Sequence, residues 1–263
     1  LVGVSVLLVA MARPERTVAV PVERAQIMLV TDVSGSMLSK DVAPNRLTAA
    51  QRAARRFLEE VPDEVNVGVM VFNQIPRVLQ SPTTDRDALR DAIAQYEAGG
   101  GTATGDAIFA ALRALGRAGV SGAQARSGPP SAIVLLSDGV STKGSDPIDA
   151  AQAAGSAKVP ISTVTLGTPG GTIAVPRPRG APGFEIRKVP PDPATLRKMA
   201  QLSGGRAYDA ASSADLSAVY RELGSQLGRR KVHRDLTAGF AGVAALLALA
   251  GAALSLRWFG RLA

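Results

Sequence analysis

Four short, almost uninterrupted apolar runs constrain this chain more than any other feature. They are Gln26–Thr31, Val65–Phe72, Ala132–Ser137 and Ile161–Leu166. A run of this length without polar alternation is expected of a strand covered on both faces. Segments of helical period lie between them. Pro44–Val61 carries Leu47, Ala50, Ala54, Phe57, Leu58 and Val61 at helical spacing, and Asp85–Glu97 sets Leu89, Ile93 and Tyr96 on one face. A Gly-rich turn at Gly99–Thr102 leads into a helix through Leu115, and further helices are predicted at Pro147–Ala157, Pro193–Leu202 and Ser213–Leu227. Ile75–Gln80 reads as a hairpin edge and Arg206–Asp209 as a short strand. Strands alternating with helices require right-handed crossovers, so the expected class is α/β: a doubly wound, mainly parallel sheet with helices on both faces. Residues 168–193 break the pattern with seven of the 17 prolines. That is too many for a core element, and the segment is expected to be an exposed insertion with a hairpin near Ile173–Val175 and Phe184–Ile186.

The two ends of the chain differ from its middle. Leu236–Leu256 is an uncharged run of 21 residues, about 30 Å as a helix and so the thickness of a bilayer's hydrocarbon core. Trp258 and Phe259 follow it, and Arg229, Arg230, Lys231 and Arg234 precede it, as at membrane interfaces. Leu1–Ala12 is also apolar but reaches only about 18 Å as a helix. It reads as a truncated span, with a signal-peptide core ending at Ala10-Met11-Ala12 as the competing reading. The expected organisation is a truncated transmembrane helix (1–12), a linker (13–25), an α/β domain (26–227), a basic juxtamembrane segment (228–235), a transmembrane helix (236–256) and a tail (257–263).

Composition excludes several chemistries. The net charge of +8 divides into +2 for residues 26–227, +1 for 1–25 and +5 for 228–263. A nucleic-acid binder would carry its basic patch on the folded domain, so no nucleic acid is expected as a partner. With no Cys there is no thiolate metal site and no cysteine nucleophile. The single His, His233, lies in the basic run and leaves no room for a Ser-His-Asp triad.

Three loops carry the remaining chemistry. Asp32-Val33-Ser34-Gly35-Ser36 follows the first strand, Gly100-Gly101-Thr102-Ala103-Thr104-Gly105 opens a helix, and Ser137-Asp138-Gly139 follows the third buried strand. In a doubly wound sheet, ligands bind beyond the carboxyl ends of the strands where strand order reverses. If the first and third buried strands flank that point, Asp32 and Asp138 meet across the crevice. The D-x-S-x-S alternation would aim three oxygen side chains inward, and a threonine of the Gly-rich turn would add another. A hard, all-oxygen shell with few carboxylates suits Mg²⁺, with Mn²⁺ or Ca²⁺ as alternatives, and leaves the ion under-neutralised.

These three motifs, in this order and strand context, resemble the metal-ion-dependent adhesion site (MIDAS) of von Willebrand factor type A (VWA) domains, over about residues 26–227. The resemblance implies a Rossmann-like fold with Asp32, Ser34, Ser36, Thr102 and Asp138 as metal-site residues and Thr104 as a substitute for Thr102. The segments SPTTDRDAL, TATGDAIFAAL, PISTVTLGTP and AQLSGG, with the flanking spans, resemble the narrower bacterial membrane-anchored group of BatA-type aerotolerance proteins and their actinobacterial relatives. That resemblance implies a multi-pass protein of the cell membrane, a MoxR-type AAA+ ATPase as candidate partner, and a role in envelope assembly or stress response. It also implies an extracytoplasmic domain, although Arg229, Arg230, Lys231 and Arg234 outnumber Arg257 and Arg261, which by local counting favours the cytoplasm.

The expected function is therefore non-catalytic: a membrane-anchored module whose metal takes an Asp or Glu from a partner protein, including other VWA membrane proteins. Two enzyme patterns fail on single residues. Asp106 stands where a phosphate loop needs Lys, and Asp32 replaces the first Gly of G-x-S-x-G. A Mg²⁺-dependent phosphatase or phosphotransferase using Asp32 is the alternative, weakened because Ser34 stands where a second acid would be wanted.

Overall fold

The structure is a computed structural model that describes residues 15–21, 25–119, 129–177, 183–227, 229–235, 242–243, 245–247, 249–253 and 257. Two compact units form, Pro21–Arg229 and the pair of end segments Leu1–Val20 and Arg230–Ala263.

The strands in chain order are β1 (Glu15–Pro21), β2 (Gln26–Asp32), β3 (Asn66–Phe72), β4 (Pro76–Thr83), β5 (Ser131–Ser137), β6 (Ile161–Leu166), β7 (Thr172–Pro176), β8 (Phe184–Lys188), β9 (Ala207–Ala210) and β10 (Arg229–Asp235). The helices are α1 (Arg46–Glu60), α2 (Arg86–Ala94), α3 (Thr104–Ala114), α4 (Pro147–Ser156), α5 (Pro193–Ser203) and α6 (Ser213–Leu227).

The larger unit is built on a six-stranded sheet of order β4-β3-β2-β5-β6-β9. All neighbours are parallel except β3 and β4, which pair antiparallel across the short turn that joins them. The four apolar runs are its central strands, and β5 and β6 are buried at every position. Side chains alternate between two cores because successive strand residues face opposite sides. Ile27, Leu29, Val69 and Val134 pack under α1, α2 and α6, while Met28, Val30, Met70 and Ile133 pack under α3, α4 and α5. This three-layer Rossmann-like α/β arrangement is the expected fold class.

Local chemistry sets the helix starts. Asp146 and Asp192 cap helices whose first residues are Pro147 and Pro193, where a missing N–H costs nothing. Asn45 caps α1 by accepting from Thr48 N at 2.8 Å. At the other end of α1, the rings of Phe57 and Tyr220 meet edge to face at 6.1 Å and 83° and join α1 to α6. Such a pair contributes about 0.5–1.5 kcal/mol beyond its buried area.

Within the Pro-rich insertion β7 and β8 form an antiparallel hairpin, Thr172 facing Lys188 and Pro176 facing Phe184. Residues 178–182 lie outside the described residues.

The end segments carry regular structure that the sequence reading did not assign. Glu15–Pro21, read as linker, and Arg229–Asp235, read as a basic juxtamembrane stretch containing His233, are strands of a separate two-stranded sheet. Their pairing joins segments some two hundred residues apart, and no local period announces it. Among the described residues no helix is long and apolar enough to cross a membrane. The flanking transmembrane helices expected from the sequence are thus not part of the described architecture. Residues 1–12 lie outside the described residues, as does part of 236–256; the described positions 242–243, 245–247 and 249–253 are helical.

Candidate metal centre

From β2 the chain moves to β3 on one side, while β5 occupies the other. Strand order therefore reverses between β2 and β5, and the crevice beyond their carboxyl ends is where a doubly wound sheet binds ligands. Asp32 is the last residue of β2, and Asp138 directly follows β5. Both are buried, at 0% and 2% exposure.

An arc of polar groups leads from one towards the other. Ser137 Oγ donates to Asp32 Oδ2 at 2.7 Å, and Ser34 N donates to Asp32 Oδ1 at 2.8 Å. Ser34 Oγ lies 2.9 Å from Ser36 Oγ, and the Ser36 hydroxyl favours the ionised form of Asp138. The turn that makes this arc is a short 3-10 segment, Gly35–Leu38. Backbone bonds fix it to the Gly-rich turn, Gly35 N to Gly100 O at 3.0 Å and Gly99 N to Val33 O at 2.8 Å.

Thr102 comes from that turn and is 4% exposed. Its carbonyl accepts from Thr142 N and Lys143 N, and its N–H donates to Thr142 Oγ1 at 3.0 Å. The third loop thus clamps its backbone and presents it to the cleft. Thr104 is the first residue of α3; its Oγ1 is buried without a hydrogen-bond partner, and Thr104 does not line the cleft. The structure therefore brings Asp32, Ser34, Ser36, Thr102 and Asp138 to one place and sets Thr104 behind them.

The electrostatics are those of a site short of positive charge. Burial and the neighbouring Asp138 carboxylate push Asp32 up to about 7, against the bonds from Ser34 and Ser137 that favour its ionised form. Burial also raises Asp138, partly offset by Ser36 and by Arg46. A divalent cation would relieve both carboxylates, and the donors are all hard oxygens. Adjacent ligands of an octahedral Mg²⁺ with bonds of about 2.0–2.1 Å lie about 2.9 Å apart, which matches the two serine hydroxyls. The residues present fit such an ion. Among the described residues no group of three or more His, Cys, Asp or Glu could hold one, so any metal shell here depends on hydroxyls.

One residue escaped the sequence reading. Arg46 is completely buried at the start of α1. Its Nε and Nη2 bond to the two carboxylate oxygens of Asp41 at 2.9 and 2.8 Å, and Nη1 lies 3.3 Å from Asp138 Oδ2. Nη2 also donates to Val189 O at 3.0 Å. Burial alone would raise Asp41, but the Arg46 guanidinium and the Thr168 N–H hold its carboxyl well below the usual range. Gly167, at φ +123°, leaves the space that the guanidinium fills; a Cβ there would overlap it. The available signal was the position of Arg46, because a cation in a helix's first turn opposes the macrodipole and needs another reason to be there.

The centre lies at the floor of a cleft of about 640 Å³, one side of which is the β7–β8 hairpin. Arg187 and Lys188 of the insertion line it; Arg177 is exposed and outside the lining, and Arg179 lies outside the described residues.

Comparison with known proteins agrees with this architecture. The pattern of the von Willebrand factor type A domain matches residues 27–140, which hold all five site residues. A UPF0353 protein of Mycolicibacterium paratuberculosis is 42% identical over 253 residues, covering 94% of this chain and 73% of the relative. The fold is shared with BatB from Bacteroides thetaiotaomicron, at TM-score 0.64 and 24% identity over 77% of this chain and 98% of that one. It is shared equally with an aerotolerance-related membrane protein from Bacteroides fragilis, at TM-score 0.63 and 22% identity over 77% and 98%. With its parallel sheet, its loops at the switch point and this similarity across nearly its whole length, the chain belongs to the UPF0353 family of von Willebrand factor type A domain proteins.

Proposed function

We propose that the chain is a membrane-anchored, metal-dependent protein-binding module without catalytic activity. The observation that carries this reading is the arc from Asp32 through Ser34 and Ser36 to Asp138, buried at the base of an open cleft. Asp32, Ser34, Ser36, Thr102 and Asp138 would hold Mg²⁺, with Mn²⁺ or Ca²⁺ as alternatives. When bound, the ion supplies a Lewis-acidic position for a carboxylate. The protein's own residues do the rest: Ser137 and Ser34 N orient Asp32, the Thr142 loop holds Thr102, and Arg46 steadies Asp138. An Asp or Glu of a partner completes the shell. Protein–protein interaction is the common role of VWA domains, which supports the reading.

Asp32 as a phosphoryl acceptor is poorly supported. Its side chain is wholly buried, and each carboxylate oxygen already accepts a hydrogen bond, from Ser34 N and Ser137 Oγ.

Membrane anchoring is supported by the uncharged Leu236–Leu256 run and by the membrane location in the name of the Bacteroides fragilis neighbour. Resemblance to the BatA-type group supports a MoxR-type AAA+ ATPase as partner, an envelope role and an extracytoplasmic domain. Calorimetric titration of the full chain with MgCl₂ tests the centre: wild type should bind one ion, and Asp32→Ala should bind none while keeping its circular dichroism. Equal Mg²⁺ binding by both proteins would overturn the proposal. Co-purification of the ATPase should be lost in EDTA and in Asp32→Ala, and protease protection in intact spheroplasts would decide the side of the membrane.

A further inference from the structure

We infer that the β7–β8 hairpin is a selectivity wall fitted to an acidic peptide segment. One carboxylate of that segment takes the cation, an adjacent apolar side chain lies against Ile173 and Val175, and a second carboxylate pairs with Arg187 or Lys188. The inference rests on the metal-dependent reading of the cleft and goes beyond it by stating which peptides the cleft prefers.

The hairpin's register decides what faces the centre. Ile173 is opposite Arg187 and Val175 is opposite Glu185, so these four share one face of the ribbon. Ile173, Val175 and Arg187 line the cleft, and Lys188 joins them from the root of the hairpin. Ile173 and Val175 are only half-buried, whereas Thr172, Ala174 and Pro176 on the other face are exposed. A patch of two β-branched side chains beside two cations thus stands next to the metal-site residues.

The wall is tied to the centre by its foot. Asp41 accepts from Thr168 N at 2.6 Å and from Thr168 Oγ1 at 3.1 Å, where the chain leaves β6 for the hairpin. Where the chain returns, Val189 N donates to Gly171 O at 2.9 Å and Arg46 holds Val189 O. The same guanidinium reaches Asp138. Both strands of the hairpin are therefore anchored through an Asp41–Arg46 clamp that also touches the metal site. A loop that served only as solvated surface would need no such attachment.

Charge complementarity names the occupant. Among the described residues the only acid lining the cleft is Asp138, and Glu185 is exposed and outside the lining. A divalent cation balances Asp32 and Asp138, and Asp41 balances Arg46. Arg187 and Lys188 are exposed and form no ion pair among the described residues. A ligand with one carboxylate on the cation would leave both wall cations unpaired; a second acid close in sequence would meet them. An extended peptide advances about 3.3 Å per residue, which lets neighbouring side chains meet the cation, the apolar patch and the basic pair in turn.

Selection from a phage-displayed random dodecapeptide library tests this. The full chain, purified in detergent, is immobilised in Mg²⁺ and phage are released with EDTA. Wild type should enrich peptides with two acids within four positions and an apolar residue beside them. Arg187→Ser/Lys188→Ser should enrich single acids instead. A synthetic peptide of the wild-type motif should bind that variant roughly fivefold to tenfold more weakly at low salt, in line with two exposed charge pairs. The gap should narrow as salt shortens the Debye length. If both proteins select the same motif, the wall is overturned while the metal-dependent reading stands. If EDTA releases no enriched peptide from wild type, the metal-dependent reading itself falls and the wall falls with it.

Discussion

Replacing Arg46 with methionine should destabilise the larger unit by about 3–5 kcal/mol, the usual consequence of removing one partner from a buried ion pair. The structure gives the reason. The guanidinium is wholly buried, bonds Asp41 through two nitrogens at 2.9 and 2.8 Å, reaches Asp138 at 3.3 Å and satisfies Val189 O at 3.0 Å. Methionine fills similar volume but leaves a nearly buried carboxylate at Asp41 without its cation. With a urea m-value of about 2 kcal/mol/M, the midpoint should fall by roughly 1.5–2.5 M, read by circular dichroism in EDTA. The pH dependence has a definite sign. The Asp41 carboxyl is held below its ordinary value in the folded state, so its contribution is present above the unfolded pKa, near 3.9, and is lost as pH falls through the folded one. Wild type and variant should therefore differ most near pH 7 and converge in acid. A midpoint shift below about 0.5 M at neutral pH, or a difference that grows in acid, would refute this account of the clamp.

Three further outcomes follow from the same geometry. Thr102→Ala should weaken Mg²⁺ binding in calorimetric titration, whereas Thr104→Ala should leave it near wild type, because only Thr102 lines the cleft. Gly167→Ala should cost about 1–3 kcal/mol in thermal or urea unfolding, since φ is +123° and the new Cβ meets the Arg46 guanidinium. Asn45→Ala removes the cap on Thr48 N and should cost about 1 kcal/mol without changing Mg²⁺ binding, which separates general stability from the centre.

Much of the sheet was legible because its burial is local. Ile161–Leu166 and Ser213–Leu227 fall where the sequence places them, and the hairpin strands extend the expected segments by one or two residues. The loops carrying Asp32, Thr102 and Asp138 were legible because Gly, Ser and Asp interrupt the pattern at the strand ends. The Asp41–Arg46 clamp was not. Asp41 and Arg46 are five residues apart, but their other partners are Asp138, Thr168 and Val189, and the first-turn position of Arg46 marks it as unusual without naming any of them. The pairing of β1 with β10 was hidden for the same reason.

By itself the sequence determined the element types of the larger unit, the alternation that makes the sheet parallel, and the oxygen-rich character of the loops. These depend on side-chain period and local backbone chemistry, which act over a few residues. Only the tertiary structure decided that β5 lies beside β2, so that Asp32 and Asp138 face one crevice. It also decided that Thr102 rather than Thr104 lines that crevice, and that the hairpin stands over it on a buried arginine. Those outcomes depend on which distant segments exclude water from one another, a property of the packed chain and not of any stretch of it.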